Sequence, residues 1–257
     1  MPSDITKHNL DRDKNVLGKE WLSTYGNWFS DEGNIGAFVD AVKPLLPDHE
    51  LDILYVASAS GLLGESLLKS LGKGDLTIVD ISKKHLDENH NPKTKKICVD
   101  LLEMNLGKKF DLIIMRSALD YFPSTELQVK VLKIIKGHLK NDGMFINQPA
   151  YISDLKQRDM VSRLYNSIDK IGKRLFQSVD MPLLYEQAGF SLPKKIGDSK
   201  DMILTEQEHI ERYKLDENDI KQAQIILEGS NGSNIKVTDH GYKLRFEFPI
   251  FMSKVGV

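Results

Sequence analysis

The sequence predicts an α/β fold in which a largely parallel sheet is covered by helices on both faces. Two observations carry this. Four short runs, LDILYVAS (51–58), DLTIVDI (75–81), KKICVDL (95–101) and FDLIIMRS (110–117), are continuously apolar rather than alternating, the pattern of strands buried on both faces. Stretches with helical spacing separate or follow these runs, so strand and helix alternate along the chain.

The elements follow in order. After the first run, GLLGESLLKSLGKG places Leu62, Leu63, Leu67, Leu68 and Leu71 at helical spacing, giving strand, tight turn and helix. Behind the fourth run a helix is predicted over 124–140, with Leu127, Val131, Ile134, Ile135 and Leu139 on one stripe and basic residues near its C-terminus, where they suit the helix dipole. Asn141-Asp142-Gly143 then turns the chain into a fifth strand, GMFINQPA. Residues 153–176 read as a polar-rich helical segment, longer than a minimal link, and hence as an inserted cap. MPLLYEQAGF (181–190) is a helix with Pro182 in its first turn and Gly189 at its end. Helices at 205–213 and 217–228 precede the turn-forming GSNGSN (229–234). The closing IKVTDHGYKLRFEFPIFMSKV reads as a hairpin turning at Asp239-His240-Gly241, with Pro249 placing the last strand at a bend or an edge.

The 257 residues are 40% hydrophobic and 28% charged, a soluble globular composition able to bury roughly 70–75% of its unfolded surface. The formal charge of −2 creates no global field to attract nucleic acid or an anionic membrane, so neither is expected as a partner. No stretch approaches the ~20 apolar residues that cross a bilayer, and the N-terminus lacks the apolar core of a secretion signal. Cys98 is the one cysteine. It excludes an intramolecular disulfide, fits a reducing, cytoplasmic setting, and is expected as a small buried hydrophobe. The seven histidines lack metal-ligand spacing, so no metal is expected. The organisation expected is an N-terminal helical lid or extension (1–50), then one domain (51–257) with a helical cap insertion at about 151–180. Trp21, Tyr25, Trp28 and Phe29 fall on one helical face, which serves either core packing or a lid.

A parallel sheet binds ligands outside the carboxyl ends of its strands. After the first strand stand five small residues, Ala57-Ser58-Ala59-Ser60-Gly61, which permit close approach of a ligand to the backbone at a helix N-terminus. Asp80 ends the second strand 19 residues after Gly61, the placement of a carboxylate that accepts ribose hydroxyls. Asp100, ending the third, suits an exocyclic amine of a base. Together they describe a nucleoside pocket.

With those residues in view, the chain resembles the class I S-adenosylmethionine-dependent methyltransferases, in the branch acting on small molecules. LDILYVASASG, LTIVDIS, ICVDLLEMNL, FDLIIMRSALDYFP, LKNDGMFI and LLYEQAGF carry the likeness in order and spacing over about residues 51–190. The resemblance implies a Rossmann-like, mostly parallel seven-stranded sheet with an antiparallel last strand, and S-adenosylmethionine as cofactor. It implies that Ser58, Ala59 and Gly61 line the methionine part, Asp80 and Ile81 the ribose, and Asp100 and Leu101 the adenine. Arg116 and Ser117 would face the sulfonium. Asp120 and Tyr121 are candidate substrate contacts or a general base. The acceptor would be a small molecule, its identity set by residues 1–50, 151–180 and 201–229.

The chain departs from the family where an acidic residue and a glycine-rich loop are usual. It has Tyr55 and alanines at 57 and 59, and alanine bars backbone dihedrals that glycine permits. This keeps open a non-catalytic module that binds S-adenosylmethionine or S-adenosylhomocysteine. VASASGLLG also resembles the loop of NAD(P)-binding extended short-chain dehydrogenases, but no tyrosine stands four residues before a lysine, which disfavours that chemistry. The absence of Asn/Asp-Pro-Pro-Tyr at Arg116-Ser117-Ala118-Leu119 weighs against a nucleic-acid or glutamine-amide methylase.

Overall fold

A computed structural model describes residues 24–256. Strands β1 (Asp52–Val56), β2 (Asp75–Asp80), β3 (Lys95–Cys98), β4 (Phe110–Arg116), β5 (Leu139–Gln148), β6 (Lys194–Thr205), β7 (Ile235–Thr238) and β8 (Gly241–Lys254) form one sheet. Its path is β3-β2-β1-β4-β5-β8-β6, with β7 paired to β8. The first five strands are parallel, whereas β8 runs antiparallel to both β5 and β6. The path holds the seven strands expected, and the eighth is the other arm of the predicted hairpin. An antiparallel strand inside the far half distinguishes this sheet from the dinucleotide-binding order 3-2-1-4-5-6.

Eight helices cover the sheet among the described residues: α1 (Glu32–Val42), α2 (Leu62–Leu71), α3 (Lys83–Asp87), α4 (Thr125–Gly137), α5 (Leu155–Ser167), α6 (Met181–Ala188), α7 (Glu206–Tyr213) and α8 (Glu217–Leu227). Their starts are locally encoded: Asp31, Ser124 and Asp154 accept hydrogen bonds from backbone N–H groups of α1, α4 and α5, and Thr205 and Asp216 form capping boxes on α7 and α8. Side chains alternate along the strands. Ile53, Tyr55, Leu112, Ile114 and Ile146 pack with Phe38 and Val42 of α1 and Leu63 and Leu67 of α2. Leu54, Val56, Ile113, Met115 and Phe145 lie in a second cluster with Val131 and Ile135 of α4 and Tyr185 of α6. The period of two thus serves two layers.

A third apolar cluster lies past the carboxyl ends of β4 and β5. There Phe246 and Phe248 of β8 meet Trp28, Phe29, α5, α7 and α8. β5 pairs with β8 only over Phe251–Lys254, while the remainder of β8 pairs with β6 on one side and, at its start, with β7 on the other. The β6–β8 ribbon therefore overhangs the ligand-binding rim.

Several expectations are corrected. β6 lacks an apolar run because its outer residues are charged and its pairing shifts register twice. β3 is not buried on both faces: it is a sheet edge with Lys95, Lys96 and Cys98 exposed, so Cys98 is not a buried hydrophobe. The segment 153–176 is helical only to Ser167; beyond it the backbone leaves the helix and Gly172 takes a φ of 88°. Tyr25, Gly26 and Asn27 have φ of 55°, 61° and 63°, so Tyr25, Trp28 and Phe29 do not share a helical face. Gly26 and Asn27 are the residue types that tolerate this conformation, and Trp21 lies outside the described residues. The last strand is interior, not an edge. Glu247 exchanges both backbone hydrogen bonds with Tyr151, so Pro249, two residues on, turns the same side toward the end of β5, where the chain carries Pro149. No helix among the described residues is long and apolar enough to cross a membrane.

Within the N-terminal segment, Phe38 of α1 is fully buried against the sheet. Phe38→Ala is expected to lower stability by about 3–5 kcal/mol in urea denaturation; a loss below about 1 kcal/mol would mean that α1 rides on the surface.

Candidate functional site

The loop between β1 and α2 is built on alternating left-handed residues: Ala57, Ala59 and Gly61 have φ of 47°, 49° and 80°. Alanine does not bar these dihedrals, as expected from the sequence; it adopts them, at a cost of about 1–2 kcal/mol per residue. Hydrogen bonds hold the turn. The Ser58 N–H donates to the Val79 carbonyl (3.0 Å), the Gly61 N–H to the Ser58 carbonyl (2.9 Å) and the Ala59 N–H to Asp80 Oδ2 (2.8 Å). Glycine is favoured at 61 on a second count, since a Cβ there would sit 3.0 Å from the Ile78 side chain, which would have to shift.

Asp80 is the tie between strand and loop. It is 8% exposed, and its other oxygen accepts from the Ser82 N–H at 2.8 Å. Capping of α3 belongs to Ser82, whose side chain accepts from the His85 N–H. His85 Nδ1 also lies 4.0 Å from Asp80 Oδ1. Ile81 follows directly at the rim, and its carbonyl accepts from Cys98 Sγ. On the neighbouring strand, Asp100 caps the short turn Leu101–Glu103 through the Leu102 N–H (3.0 Å), and Leu101 is buried beneath α4.

Above the loop lies a narrow crevice of about 20 Å³ lined by Tyr55, Ala57, Ser58, Ala59, Phe29 and Arg116, among others. Arg116 is 8% exposed. Its Nη2 donates to the Phe29 carbonyl at 2.9 Å, and its Cζ lies 5.3 Å from the Phe29 ring centroid. Nη1 is buried without a hydrogen-bond partner among the described residues. Burial pushes the Tyr55 phenol up from its ordinary value, against the pull of the nearby Arg116. The place usually held by an acid is thus a neutral ring beside a cation.

A second pocket, of about 20 Å³, adjoins the first and shares Phe29 with it. Ser117 (φ 48°) lines it while its neighbour Arg116 lines the first, so one peptide unit at the end of β4 faces both. Its other walls include Tyr25, Tyr121, Tyr165, Arg174 and Arg212. Tyr121 thereby lines this second pocket. Asp120 is not on the wall: it is 1% exposed and ion-paired to Arg174 Nη1 at 2.7 Å. Ser58, Ala59, Arg116, Ser117 and Tyr121 therefore line the two pockets, Gly61 and Asp80 shape the loop beneath the first, and Ile81, Asp100 and Leu101 lie along the adjoining rim. Sequence reasoning did not name Arg174, Arg212 and Tyr165 individually, although all three lie in the segments, 151–180 and 201–229, expected to set the acceptor's identity. Beside this pocket, His209 Nδ1 lies 2.7 Å from the Tyr242 hydroxyl. Burial, reinforced by the charges of Arg212 and Arg174, pushes the imidazole down to about 3.

Residues 54–145 match the family described as methyltransferase domain. A malonyl-[acyl-carrier protein] O-methyltransferase from Priestia megaterium is 29% identical over 92 residues, 33% of this chain, and the chain spans 32% of that relative's length. Among solved structures, the YcgJ protein of Bacillus subtilis superposes with a TM-score of 0.69 at 13% identity, covering 88% of this chain and 100% of that one. Magnesium protoporphyrin IX methyltransferase from Synechocystis, solved with S-adenosylmethionine bound, gives 0.55 at 13% identity over 96% and 98% of the two chains. At that identity the structural likeness establishes the fold alone, a Rossmann-like, mostly parallel sheet between helices.

Two outcomes are expected. Ala57→Gly removes a left-handed alanine and should raise stability by about 0.5–1 kcal/mol in urea titration, net of glycine's entropy; a decrease would contradict the φ assigned here. His209 is neutral when folded down to about pH 3, whereas the unfolded imidazole protonates below about 6.5. Protons thus favour the unfolded chain between those values, and stability should fall with acid by up to ~1.4 kcal/mol per pH unit from this group. His209→Gln should flatten that slope in denaturation curves measured from pH 7 to 4.

Proposed function

We propose, from the methyltransferase-domain match over residues 54–145 and the Rossmann-like fold, that the protein transfers a methyl group from S-adenosylmethionine to a small-molecule acceptor. The observation that carries this reading is the crevice over the β1–α2 loop, where small residues, a strand-end carboxylate and one unsatisfied cationic donor converge. The residues fit the cofactor. The loop admits close backbone approach, Asp80 closes the second strand beside it through its bonds to Ala59 and Ser82, and Nη1 of Arg116, buried without a hydrogen-bond partner among the described residues, supplies a donor for an α-carboxylate.

When bound, S-adenosylmethionine supplies a sulfonium methyl whose transfer to an acceptor heteroatom returns the C–S electron pair to sulfur. In this reading Ser58, Ala59, Gly61 and Arg116 hold the aminoacyl end, Asp80 and Ile81 the ribose, and Asp100 and Leu101 the adenine. Phe29 and Ser117 border the reacting side. Tyr121 faces the acceptor, while Asp120, engaged by Arg174, acts as a positioning residue. The protein's contribution is orientation with water excluded, worth up to about 7–11 kcal/mol in favourable cases, and an amine, thiol or acidic oxygen needs no general base. The near-neutral charge supports a small molecule over nucleic acid or membrane as partner. The single cysteine supports a cytoplasmic location.

Calorimetry with S-adenosylhomocysteine is the test: binding is expected, and Asp80→Ala should weaken it by about 1.5–3 kcal/mol in a variant whose circular dichroism is unchanged. No heat and no thermal stabilisation at millimolar ligand would overturn the reading. Binding with no transfer to any acceptor would assign the chain as a non-catalytic module.

A further inference from the structure

The crevice over the β1–α2 loop has one foreign wall. Its other lining residues belong to β1, the loop, the start of α2 and β4, whereas Phe29 reaches it from the N-terminal segment 25–31. With about 20 Å³ of free volume the crevice has room for a water molecule, and a ligand pocket is ordinarily larger by more than tenfold. Phe29 also engages the cation there: its carbonyl accepts from Arg116 Nη2 at 2.9 Å, and its ring centroid lies 5.3 Å from Cζ. The segment is fastened outside the crevice through Trp28. That ring stacks 3.9 Å from the Phe248 centroid, its indole N–H donates to the Lys200 carbonyl at 2.9 Å, and the Trp28 carbonyl accepts from Asn34 Nδ2 at 3.0 Å. The segment begins with three consecutive left-handed residues, Tyr25, Gly26 and Asn27, a conformation that is costly for tyrosine, and it ends at Asp31, the cap of α1. A strained, solvent-exposed turn on one side and a helix start on the other thus bound the residues that close the crevice.

Resting on the methyltransferase reading, we propose that residues 25–31 are an autoinhibitory strap: the Phe29 ring and carbonyl stand where the amino-acid end of the cofactor goes, and binding requires the strap to lift about the turn at 25–27. A guanidinium grips a carboxylate through two parallel N–H donors. In the closed form one prong of Arg116 is spent on a neutral carbonyl, and the other, Nη1, has no hydrogen-bond partner among the described residues. Lifting Phe29 releases Nη2 beside Nη1, so one movement supplies both the missing volume and the second donor. Trp28 is the adjacent residue, and the same movement takes its ring off Phe248. The nucleoside end of the cofactor is assigned to Asp80 and Asp100, neither of which lines the crevice, so a nucleoside without the amino-acid tail leaves the strap closed. Because the closed form takes no cofactor, the apparent affinity is the intrinsic one reduced by the open fraction, and loosening the strap tightens binding.

Trp28 reports the movement. In the full-length chain carrying Trp21→Phe, which leaves Trp28 as its one tryptophan, saturating S-adenosylhomocysteine is expected to shift the emission to longer wavelength and to increase quenching by iodide. Methylthioadenosine, which lacks the amino-acid carboxylate, should leave both unchanged. In stopped flow the rate of binding is expected to level off as S-adenosylhomocysteine is raised, since opening comes first. Gly26→Ala adds a Cβ that meets nothing within 4 Å but penalises the left-handed turn of the closed strap. It should tighten S-adenosylhomocysteine binding about fivefold or more, with circular dichroism unchanged. A silent Trp28 in the S-adenosylhomocysteine complex, an equal shift with methylthioadenosine, a rate that rises linearly throughout, or unchanged or weaker binding by Gly26→Ala overturns the strap alone. Failure of S-adenosylhomocysteine to bind either the parent chain or Gly26→Ala overturns the methyltransferase reading, and the strap with it.

Discussion

β8 is longer than its neighbour β5 and runs against it, and the architecture of both pockets depends on that mismatch. Pairing with β5 ends at Phe251, yet β8 begins at Gly241, so ten residues project past the strand ends and need partners of their own. β6 supplies hydrogen bonds on one side, and Tyr151 and then β7 on the other. The exposed apolar face of this overhang is covered by Trp28, whose ring centroid lies 3.9 Å from that of Phe248, and by α5, α7 and α8. A sheet that would otherwise leave an open rim thereby acquires a wall.

The half around the β1–α2 loop and the overhanging half are stabilised differently. On the first side the backbone supplies the order: strained left-handed residues are fixed by hydrogen bonds to β2, and Asp80 links loop and strand. On the second, side chains supply it through stacked cations and rings and one buried ion pair. Removing one member of such a pair leaves an uncompensated charge, so Asp120 and Arg174 are coupled as tightly as core residues, with Arg174 on the pocket wall and Asp120 buried behind it.

This difference explains what was legible in the sequence. β1, β2, β4 and β5 are buried on both faces and read as continuous apolar runs; Ser58, Ala59, Gly61, Asp80 and Arg116 follow from strand ends because topology alone puts them there. β3 was read as buried although it is an edge, since Ile97 and Val99 lend an apolar tone to a strand whose lysines face outward. β6 was unread because its alternation is broken by bulges. Arg174 and Arg212 lie 38 residues apart in the chain and meet only because the overhang folds back, so no local periodicity announces them. Helix propensity also misled over 168–176, where the buried turn around Ile168, Ile171 and Gly172 overrides it.

The sheet ends on one side at β3 and on the other at β6. Lys95 and Lys96 stand exposed on the first, and Lys194, Lys195, Lys200 and Asp201 on the second, where two register shifts also bend the strand. Exposed charge and irregular pitch both obstruct the addition of a foreign strand. The long ribbon that roofs the cleft is thus kept from templating intermolecular pairing, and crowded solutions of this protein are shielded from growth of a continuous sheet through neighbouring copies.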